Sequence, residues 1–340
     1  MNDDPNQEWY EEESKRYGDG GDVDGDEWKE ALEKGEICGE GIWNLKITPR
    51  KRLLDLWFRE GDTGFVYGPR GAGKTWLSHG MARAISKGKG FGRWIAGDGP
   101  VPVAYLDGEM PFELMQERDQ GFGETNDNFH LISHELLFDR TEKVINIALP
   151  AVQKAITQFC LDKGIKALFL DNLSTLASGV AESDADDWEK LLGWLLDLRR
   201  KKIAVVIVHH AGRSGLMRGT SRREDSVFWI IKVDEVPDFT EAGCQFNQRF
   251  EKNRNAPRDP DSYTWTFRPD ATLEDPYAID ISCEPCNLET LIVDRLRLEP
   301  TTAKTLMTEL KVPHTTLYRA LKRLEEEGVI EKKGQKYHAV

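Results

Sequence analysis

The segment GPRGAGKT, residues 68–75, limits the possible folds more than any other part of this sequence. It matches the pattern G-x-x-x-x-G-K-[S/T], in which a glycine-rich turn joins a buried strand to a helix and directs its N–H groups at phosphate oxygens. The apolar run at 64–67 precedes it and a helical pattern follows. Apolar runs at 101–106, 167–170 and 203–208 then alternate with helical patterns, which predicts an α/β fold with a mainly parallel sheet.

The same segment predicts a site for ATP and Mg²⁺. Lys74 would contact the β- and γ-phosphates, and the Thr75 hydroxyl would be a ligand of Mg²⁺. Asp171 ends the buried run 167–170 and would hold the water shell of the metal. The residues predicted to surround the nucleotide are Gly68, Pro69, Arg70, Gly71, Ala72, Gly73, Lys74, Thr75 and Trp76.

The residue that activates water is not where many ATPases place it. Asn172, and not a glutamate, follows Asp171. The run 101–106 ends in YLDGEM, which places Asp107 and Glu109 at the carboxyl edge of the sheet, where ligands bind in open α/β sheets. Glu109 is predicted to be the general base, with Asp107 as the competing candidate. Alternatively, Glu109 is an acidic residue at the start of the next helix.

Composition divides the chain into four parts. Residues 1–41 are predicted to be a disordered acidic arm, since residues 1–45 hold fifteen acidic and four basic side chains. Residues 42–275 carry the α/β pattern, residues 276–286 are predicted to be a linker, and residues 287–340 form a separate unit. No signal peptide or membrane-spanning run is evident, and the five cysteines do not suggest a disulfide framework, so we expect a cytoplasmic protein without membrane contact.

Residues 287–340 have the pattern of a winged helix-turn-helix. Three amphipathic segments, broken by prolines, precede two short strand patterns around Gly334. The second helix of the pair, at about 314–327, would enter the major groove of duplex DNA. Its candidate DNA contacts are Thr316, Arg319 and Lys322. Winged helices also bind proteins, so a protein partner is the alternative.

The segment 68–75, called the P-loop below, resembles the site of RecA-type ATPases together with Glu109 and Asp171. EKNRNAPRD, residues 251–259, is similar to the KxRxGP segment of DnaB-type replicative helicases, with Ala256 in place of the glycine. Together with YLDGEMP, LFLDN, VIVHHAGRSG and RGTS, these segments resemble the hexameric RepA-type helicases of plasmids and mobile elements over roughly residues 42–268. The resemblance implies a RecA-like ATPase core that works as a homo-oligomer, with a hexamer favoured.

The resemblance also implies roles for individual residues. In the DnaB-type family the Lys and Arg of the KxRxGP segment reach across a subunit boundary to the γ-phosphate of the neighbour, and these are Lys252 and Arg254 in this chain. A polar residue after a buried strand senses the γ-phosphate in RecA-type proteins, which implies His210, with His209 as the second candidate. A histidine that packs or makes a structural hydrogen bond is the alternative.

The segment 211–223 contains four arginines, three glycines and no acidic residue. This composition suits binding to the backbone of single-stranded DNA, and the corresponding loop of RecA-type motors lines their central channel. Arg213 is predicted to contact DNA, and Arg218 is a candidate for a further arginine that acts on the neighbour's site. Arg222 and Arg223 suit either role. A solvated basic loop without a ligand is the alternative.

These features predict an ATP-dependent helicase or translocase that acts on single-stranded DNA in replication or mobilisation. Three other classes fit parts of the sequence: a DNA-binding regulator switched by ATP, an oligomeric scaffold that uses ATP for assembly, and a small-molecule kinase. A kinase would need an acceptor pocket and no arginine that acts between subunits.

Overall fold

A computed structural model describes residues 25–177, 185–212, 222–236, 239–256, 262–270, 275–310 and 312–340. Within these ranges the chain forms a nine-stranded sheet with helices on both faces, a two-stranded ribbon, and a three-stranded sheet in the C-terminal unit. None of the helices in the described ranges is long and apolar enough to cross a membrane.

The elements are numbered along the chain. The strands are β1 (Arg52–Leu54), β2 (Phe58–Arg59), β3 (Thr63–Gly68), β4 (Val103–Asp107), β5 (Phe129–Ser133), β6 (Ala167–Asp171), β7 (Ala204–His210), β8 (Trp229–Glu235), β9 (Cys244–Asn253), β10 (Tyr263–Pro269), β11 (Ile279–Pro285), β12 (Thr301–Thr302), β13 (Ile330–Lys333) and β14 (Lys336–Ala339). The helices are α1 (Gly25–Gly35), α2 (Gly41–Asn44), α3 (Lys74–Lys87), α4 (Phe112–Gly121), α5 (His134–Thr141), α6 (Pro150–Asp162), α7 (Leu173–Leu176), α8 (Ala185–Arg200), α9 (Arg222–Ser226), α10 (Leu288–Leu298), α11 (Ala303–Leu310) and α12 (His314–Glu326).

Most of the large sheet is parallel. β5, β4, β6, β7, β3 and β8 lie side by side in that order and run in one direction. β9, β10 and β11 continue the sheet in antiparallel pairs. This arrangement confirms the predicted RecA-like α/β fold. The central strands β3, β6 and β7 are almost wholly buried because helices cover both faces, which explains their continuous apolar sequences.

Two apolar cores lie on the two faces of the sheet, because successive side chains of a strand point to opposite faces. Val66 belongs to one core, together with Leu77 and Met81 of α3. Phe65 belongs to the other core, which also contains Trp188 of α8. Each fully buried large apolar side chain contributes about 1.5–3 kcal/mol relative to its exposed state. The alternation therefore fixes which face of each strand meets which helix.

The C-terminal unit is a winged helix, as predicted. α10, α11 and α12 surround a separate apolar core. β12, β14 and β13 form its small sheet in that order. α12 buries Leu317, Leu321 and Leu324 along one face, which leaves its opposite face to solvent.

The predicted linker at 276–286 is wrong. β11 fills most of this range and pairs with β10 along its whole length. Its residues alternate between the two faces of the sheet, with Cys283 buried and Glu284 exposed. The hydrogen bonds to β10 therefore extend the core to Pro285.

The predicted disorder of residues 1–41 is wrong at Gly25–Gly35, which forms α1. Acidic residues lie in its first turn and Lys34 lies in its last turn. Charges of these signs interact favourably with the helix dipole at those ends. Lys34 also forms an i,i+4 ion pair of 2.6 Å with Glu30. All residues of α1 are exposed, so these local interactions favour the helix without burial.

Gly64 packs directly against Trp229 of the neighbouring strand. An added Cβ would lie 2.2–2.4 Å from three indole atoms in a fully buried cluster. We predict that Gly64→Ala lowers the free energy of unfolding by about 1–3 kcal/mol, as measured by urea denaturation. Gly35→Ala is the control, because nothing lies within 4 Å of its added Cβ. Equal stability of the two variants would contradict this packing.

Candidate nucleotide-binding site

The carboxyl ends of neighbouring parallel strands bring the predicted site residues together. Gly68 of β3 is paired in register with His210 of β7, and Asp107 of β4 with Asp171 of β6. These strand ends and the P-loop border a cleft of about 550 Å³. The predicted nucleotide-binding residues that line the cleft are Arg70, Gly71, Gly73, Lys74, Thr75 and Trp76. The rest of the loop is formed by Gly68, Pro69 and Ala72.

Gly73 allows the loop to turn into α3. Its φ of +92° lies in the left-handed region, and an added Cβ would meet the Phe246 ring at 2.3 Å. α3 therefore begins at Lys74, with its free N–H groups at the cleft, where they favour phosphate. Lys74 is buried and its Nζ donates to the carbonyl oxygen of Pro69 at 2.5 Å. Burial lowers the pKa of Lys74, and nearby carboxylates oppose this shift.

Hydroxyl groups hold the Asp171 carboxylate. Tyr105 donates to Asp171 Oδ2 at 2.6 Å, and the Tyr105 hydroxyl is 3.0 Å from that of Ser78. Burial raises the pKa of Asp171, and hydrogen bonds from Tyr105 and Thr75 oppose the rise. Mg²⁺ at such sites is bound by one or two protein groups together with phosphate oxygens. Thr75 and Asp171 are in contact beside the P-loop, so they fit the predicted metal site.

Asn172 connects two other candidate residues of the cleft. Its Nδ2 donates to Glu109 Oε2 and lies 3.3 Å from His210 Nε2. Glu109 Oε2 is 3.9 Å from the same histidine nitrogen, and the Glu109 side chain is 55% exposed. Asn172 Oδ1 accepts from the N–H of Thr175 and thereby caps α7. The amide that stands after Asp171 in the sequence therefore holds a glutamate that lies two residues beyond the end of β4.

The alternatives to Glu109 and His210 lie deeper in the protein. Asp107 is 1% exposed, and its Oδ2 accepts from the N–H of Met110 at 2.9 Å. Burial, and then the charge of Asp171, raises the pKa of Asp107 to about 7. Such a pKa suits a base, but access to water comes first, which favours Glu109. His209 is fully buried, whereas His210 lines the cleft.

Lys252 and Arg254 lie at the opposite edge of the sheet, because β9 runs antiparallel to β8. The N–H of Arg254 donates to the carbonyl of Phe228, and the N–H of Phe228 donates to that of Thr63, at the start of β3. Arg254 is therefore level with the amino end of β3, roughly 15 Å from Gly68 at about 3.3 Å per residue. Neither cation can reach the P-loop of its own chain.

Backbone carbonyls of α9 hold both cations. Lys252 Nζ donates to the carbonyl of Glu224, and Arg254 Nη2 donates to that of Asp225 at 2.8 Å. α9 begins at Arg222 and therefore overlaps the end of the arginine-rich segment 211–223.

The turn after Arg254 is braced by polar groups around the buried Asp62, which the motif comparison did not indicate. Asn255 Nδ2 donates to Asp62 Oδ2 at 2.6 Å and to the carbonyl of Trp57 at 2.8 Å. Arg50 forms a 2.5 Å ion pair with the same aspartate, which is fully buried. Burial raises the pKa of Asp62, while Arg50 and the other donors oppose the rise. These bonds hold Arg254 on a rigid turn.

The arginine-rich segment is only partly described. Arg213 and Arg218 lie outside the described residues. Arg222 and Arg223 form the start of α9. The predicted roles of these four residues stay predictions.

The candidate duplex contacts are accessible. Thr316, Arg319 and Lys322 are exposed on the face of α12 opposite its buried leucines. Lys332, Lys333 and Lys336 of the wing are exposed as well.

A family model described as "AAA domain" matches residues 41–215, just over half of the chain. The chain belongs to this family. Its core is therefore a P-loop ATPase domain. A second model, described as "Sugar-specific transcriptional regulator TrmB", matches residues 294–340.

Among solved structures, a KaiC-like protein from the hyperthermophilic archaeon Pyrococcus horikoshii OT3 is 15% identical, with a TM-score of 0.47. The similarity covers 66% of this chain and 90% of that protein. A search of curated proteins found no significant match.

The cleft of the AAA domain also contains an arginine that sequence reasoning missed. Arg118 of α4 lines the cleft, and its guanidinium lies 4.4 Å from the centre of the Trp76 ring. Its Nη1 is buried without a hydrogen-bond partner among the described residues. A buried donor beside a P-loop calls for an acceptor, and a nucleotide oxygen would supply one. Arg118 belongs to no recognisable motif, so only the folded arrangement reveals it.

We predict that Arg118→Met weakens the binding of a non-hydrolysable ATP analogue at least about 10-fold, because a hydrogen bond to a charged group contributes roughly 1.5–3 kcal/mol. Methionine retains much of the packing against Trp76. The affinity is measured by titration calorimetry, with Arg140→Met, an exposed position on α5, as the control. Equal affinities of the two variants would exclude Arg118 from nucleotide contact.

Proposed function

We propose that this chain is an ATP-dependent DNA motor. It hydrolyses ATP at the boundaries between subunits of a homo-oligomer, with a hexamer favoured, and acts on single-stranded DNA in replication or mobilisation. The position of Arg254 carries the proposal. This cation is held on a braced turn, roughly 15 Å from its own P-loop by strand length, so it can serve a nucleotide only in a neighbouring subunit.

The hydrolytic step follows from the residues of the cleft. Glu109 orients a water molecule for in-line attack on the γ-phosphate and accepts its proton, while the Asn172 amide holds the carboxylate in place. We assign His210 as the sensor of the γ-phosphate, and its 3.3 Å contact with the same amide supports the assignment. When bound at Thr75 and Asp171, Mg²⁺ supplies positive charge to the phosphates.

Positive side chains stabilise the charge that develops during the reaction. Lys74 donates hydrogen bonds to phosphate oxygens in place of its bond to the Pro69 carbonyl. Arg254 of the adjoining subunit, with Lys252, completes the site, and Arg218 is a candidate for a second contribution from that subunit. Rate enhancements of about 10³–10⁵ are typical of such arginines.

Movement on DNA is assigned to the segment 211–223. Its arginines, with Arg213 foremost and Arg222 and Arg223 as further candidates, suit contacts with phosphates of single-stranded DNA. The bonds from Lys252 and Arg254 to α9 support the assignment, because they connect the end of this segment to the cations that serve the neighbouring ATP site.

A DNA-binding regulator switched by ATP is the second candidate function. The exposed basic face of α12 and the similarity of residues 294–340 to a family of transcriptional regulators favour it. Both functions use the C-terminal unit to bind duplex DNA. They differ in the response of hydrolysis to single strands.

The deciding experiment measures ATP hydrolysis with and without single-stranded DNA, at two salt concentrations. For a motor we expect strong stimulation of hydrolysis by single-stranded DNA that weakens as salt rises, because counterion release drives phosphate contacts.

Glu109→Gln is predicted to lower hydrolysis by about 10²–10⁴-fold while it retains nucleotide binding. In the comparison with and without DNA, the response of the wild type decides between the two functions. Hydrolysis that ignores single strands would exclude the motor and favour the regulator.

The duplex-binding role of the winged helix has its own test. We predict that Arg319→Ala and Lys322→Ala each weaken duplex binding and reduce the salt slope by about 1, if the side chain contacts a phosphate. Fluorescence anisotropy at several salt concentrations measures both quantities. Glu331→Ala, an exposed position on the wing, is the control. Unchanged slopes in both lysine and arginine variants would favour a protein partner for this unit.

A further inference from the structure

The winged helix is docked on the ATPase core through β9. Asn247 Nδ2 donates to Asp294 Oδ2 of α10 at 2.7 Å. Arg249 Nη2 donates to the carbonyl of Glu309 in α11 at 2.7 Å. Asn247, Arg249 and Asp294 are at most 7% exposed. Hydrogen bonds at such buried positions fix how the two units dock, because a bond lost while the units stay docked would leave its polar groups buried without a partner.

The same strand leads from this interface to the P-loop. Glu251 lies two residues beyond Arg249, and its Oε1 is 3.7 Å from Arg249 Nη2. Glu251 Oε2 accepts from the hydroxyl of Tyr67 at 2.6 Å. Tyr67 is the residue before Gly68, where the P-loop begins. A chain of polar contacts therefore joins the start of the P-loop to the backbone of α11.

A cavity of about 270 Å³ separates the P-loop from the winged helix. Pro69 of the loop lines one side, and α10 and α11 line the other. Carboxylates outnumber cations among its lining residues. The acidic members are Asp234, Glu235, Asp294, Glu299 and Glu309, and the basic members are Lys232, Arg249 and Arg295.

Nucleotide binding would disturb this arrangement in two ways. Lys74, whose Nζ is bonded to the Pro69 carbonyl, would turn to the phosphates and release a residue that lines the cavity. The phosphates would also bring negative charge towards the acidic cavity. Glu235 Oε1 lies 4.0 Å from the point that a Cβ added to Gly71 would occupy, so this carboxylate is already close to the loop. The negative charges of phosphates and of these carboxylates repel each other.

We propose that the docked winged helix is a nucleotide-responsive unit: nucleotide at the P-loop weakens its docking on β9, and docking in turn weakens nucleotide binding. This inference rests on the proposed binding of ATP at the P-loop but not on DNA translocation. The two effects are equal in magnitude, because coupling between two binding equilibria is reciprocal. Release would free the duplex-binding unit to move relative to the core.

The first test is amide hydrogen exchange of the full chain, with and without a saturating non-hydrolysable ATP analogue and Mg²⁺. We expect faster exchange in residues 288–310 when nucleotide is bound, with slower exchange in the P-loop. Slower exchange in the P-loop with unchanged exchange in residues 288–310 would overturn the coupling and leave the ATPase intact. No protection at the P-loop would overturn both.

A reversed pair of substitutions tests the reciprocal effect. Asn247→Asp places two carboxylates opposite each other, so this variant should undock the winged helix and bind nucleotide about fivefold more tightly or better. When Asp294→Asn is added, the new asparagine at 294 can donate to the new aspartate at 247, which restores the hydrogen bond in the opposite direction. The double variant should therefore return to the nucleotide affinity of the wild type. Asp294→Asn alone retains the acceptor for Asn247 and should remain docked.

Glu325→Ala, an exposed position on α12, serves as the control for a carboxylate change away from the interface. Thermal unfolding of each variant checks that the C-terminal unit still folds. Equal nucleotide affinities of the wild type, Asn247→Asp and the double variant would overturn the coupling.

Discussion

The parallel alignment of β3, β7, β6 and β4 is the constraint on which the site depends. Since their carboxyl ends meet at one edge, residues distant in the sequence come into contact there. The missing glutamate after Asp171 is explained by this alignment. Asn172 occupies that position and binds Glu109, which follows the neighbouring strand β4 at the edge of the cleft. The base and its holder thus come from β4 and β6, two paired strands.

The antiparallel strand β9 has a different role. It begins near the carboxyl ends of the parallel strands and ends near their amino ends, so its residues contact both edges of the sheet. Asn247 and Arg249 bind the winged helix, Glu251 binds the residue before the P-loop, and Lys252 with Arg254 occupies the far edge. One rigid strand thus touches the docking interface, the nucleotide loop and the cations assigned to the neighbouring site. The strand thereby forms a contiguous path of contacts between these sites, along which the proposed coupling would act.

The fold and the phosphate loop could be predicted because they leave local signals. GPRGAGKT specifies its strand, turn and helix. The spacing of Leu317, Leu321 and Leu324 indicates helix α12, whose opposite face carries exposed basic residues. β11 was missed because an edge strand with one polar face resembles a loop in composition. Arg118 and the Asp62–Asn255 brace were missed because their function depends on burial and on partners far away in the sequence.

Co-purified mixed oligomers show whether one subunit completes the ATP site of another. Subunits with Glu109→Gln and subunits with Arg254→Ala carry different tags, and each variant alone is expected to be inactive in hydrolysis. In a mixed oligomer, an Arg254→Ala subunit keeps its own Glu109 and receives Arg254 from its neighbour. We expect hydrolysis to reappear in the doubly tagged fraction. Mixed oligomers that bind ATP but remain as inactive as either parent would contradict catalysis between subunits.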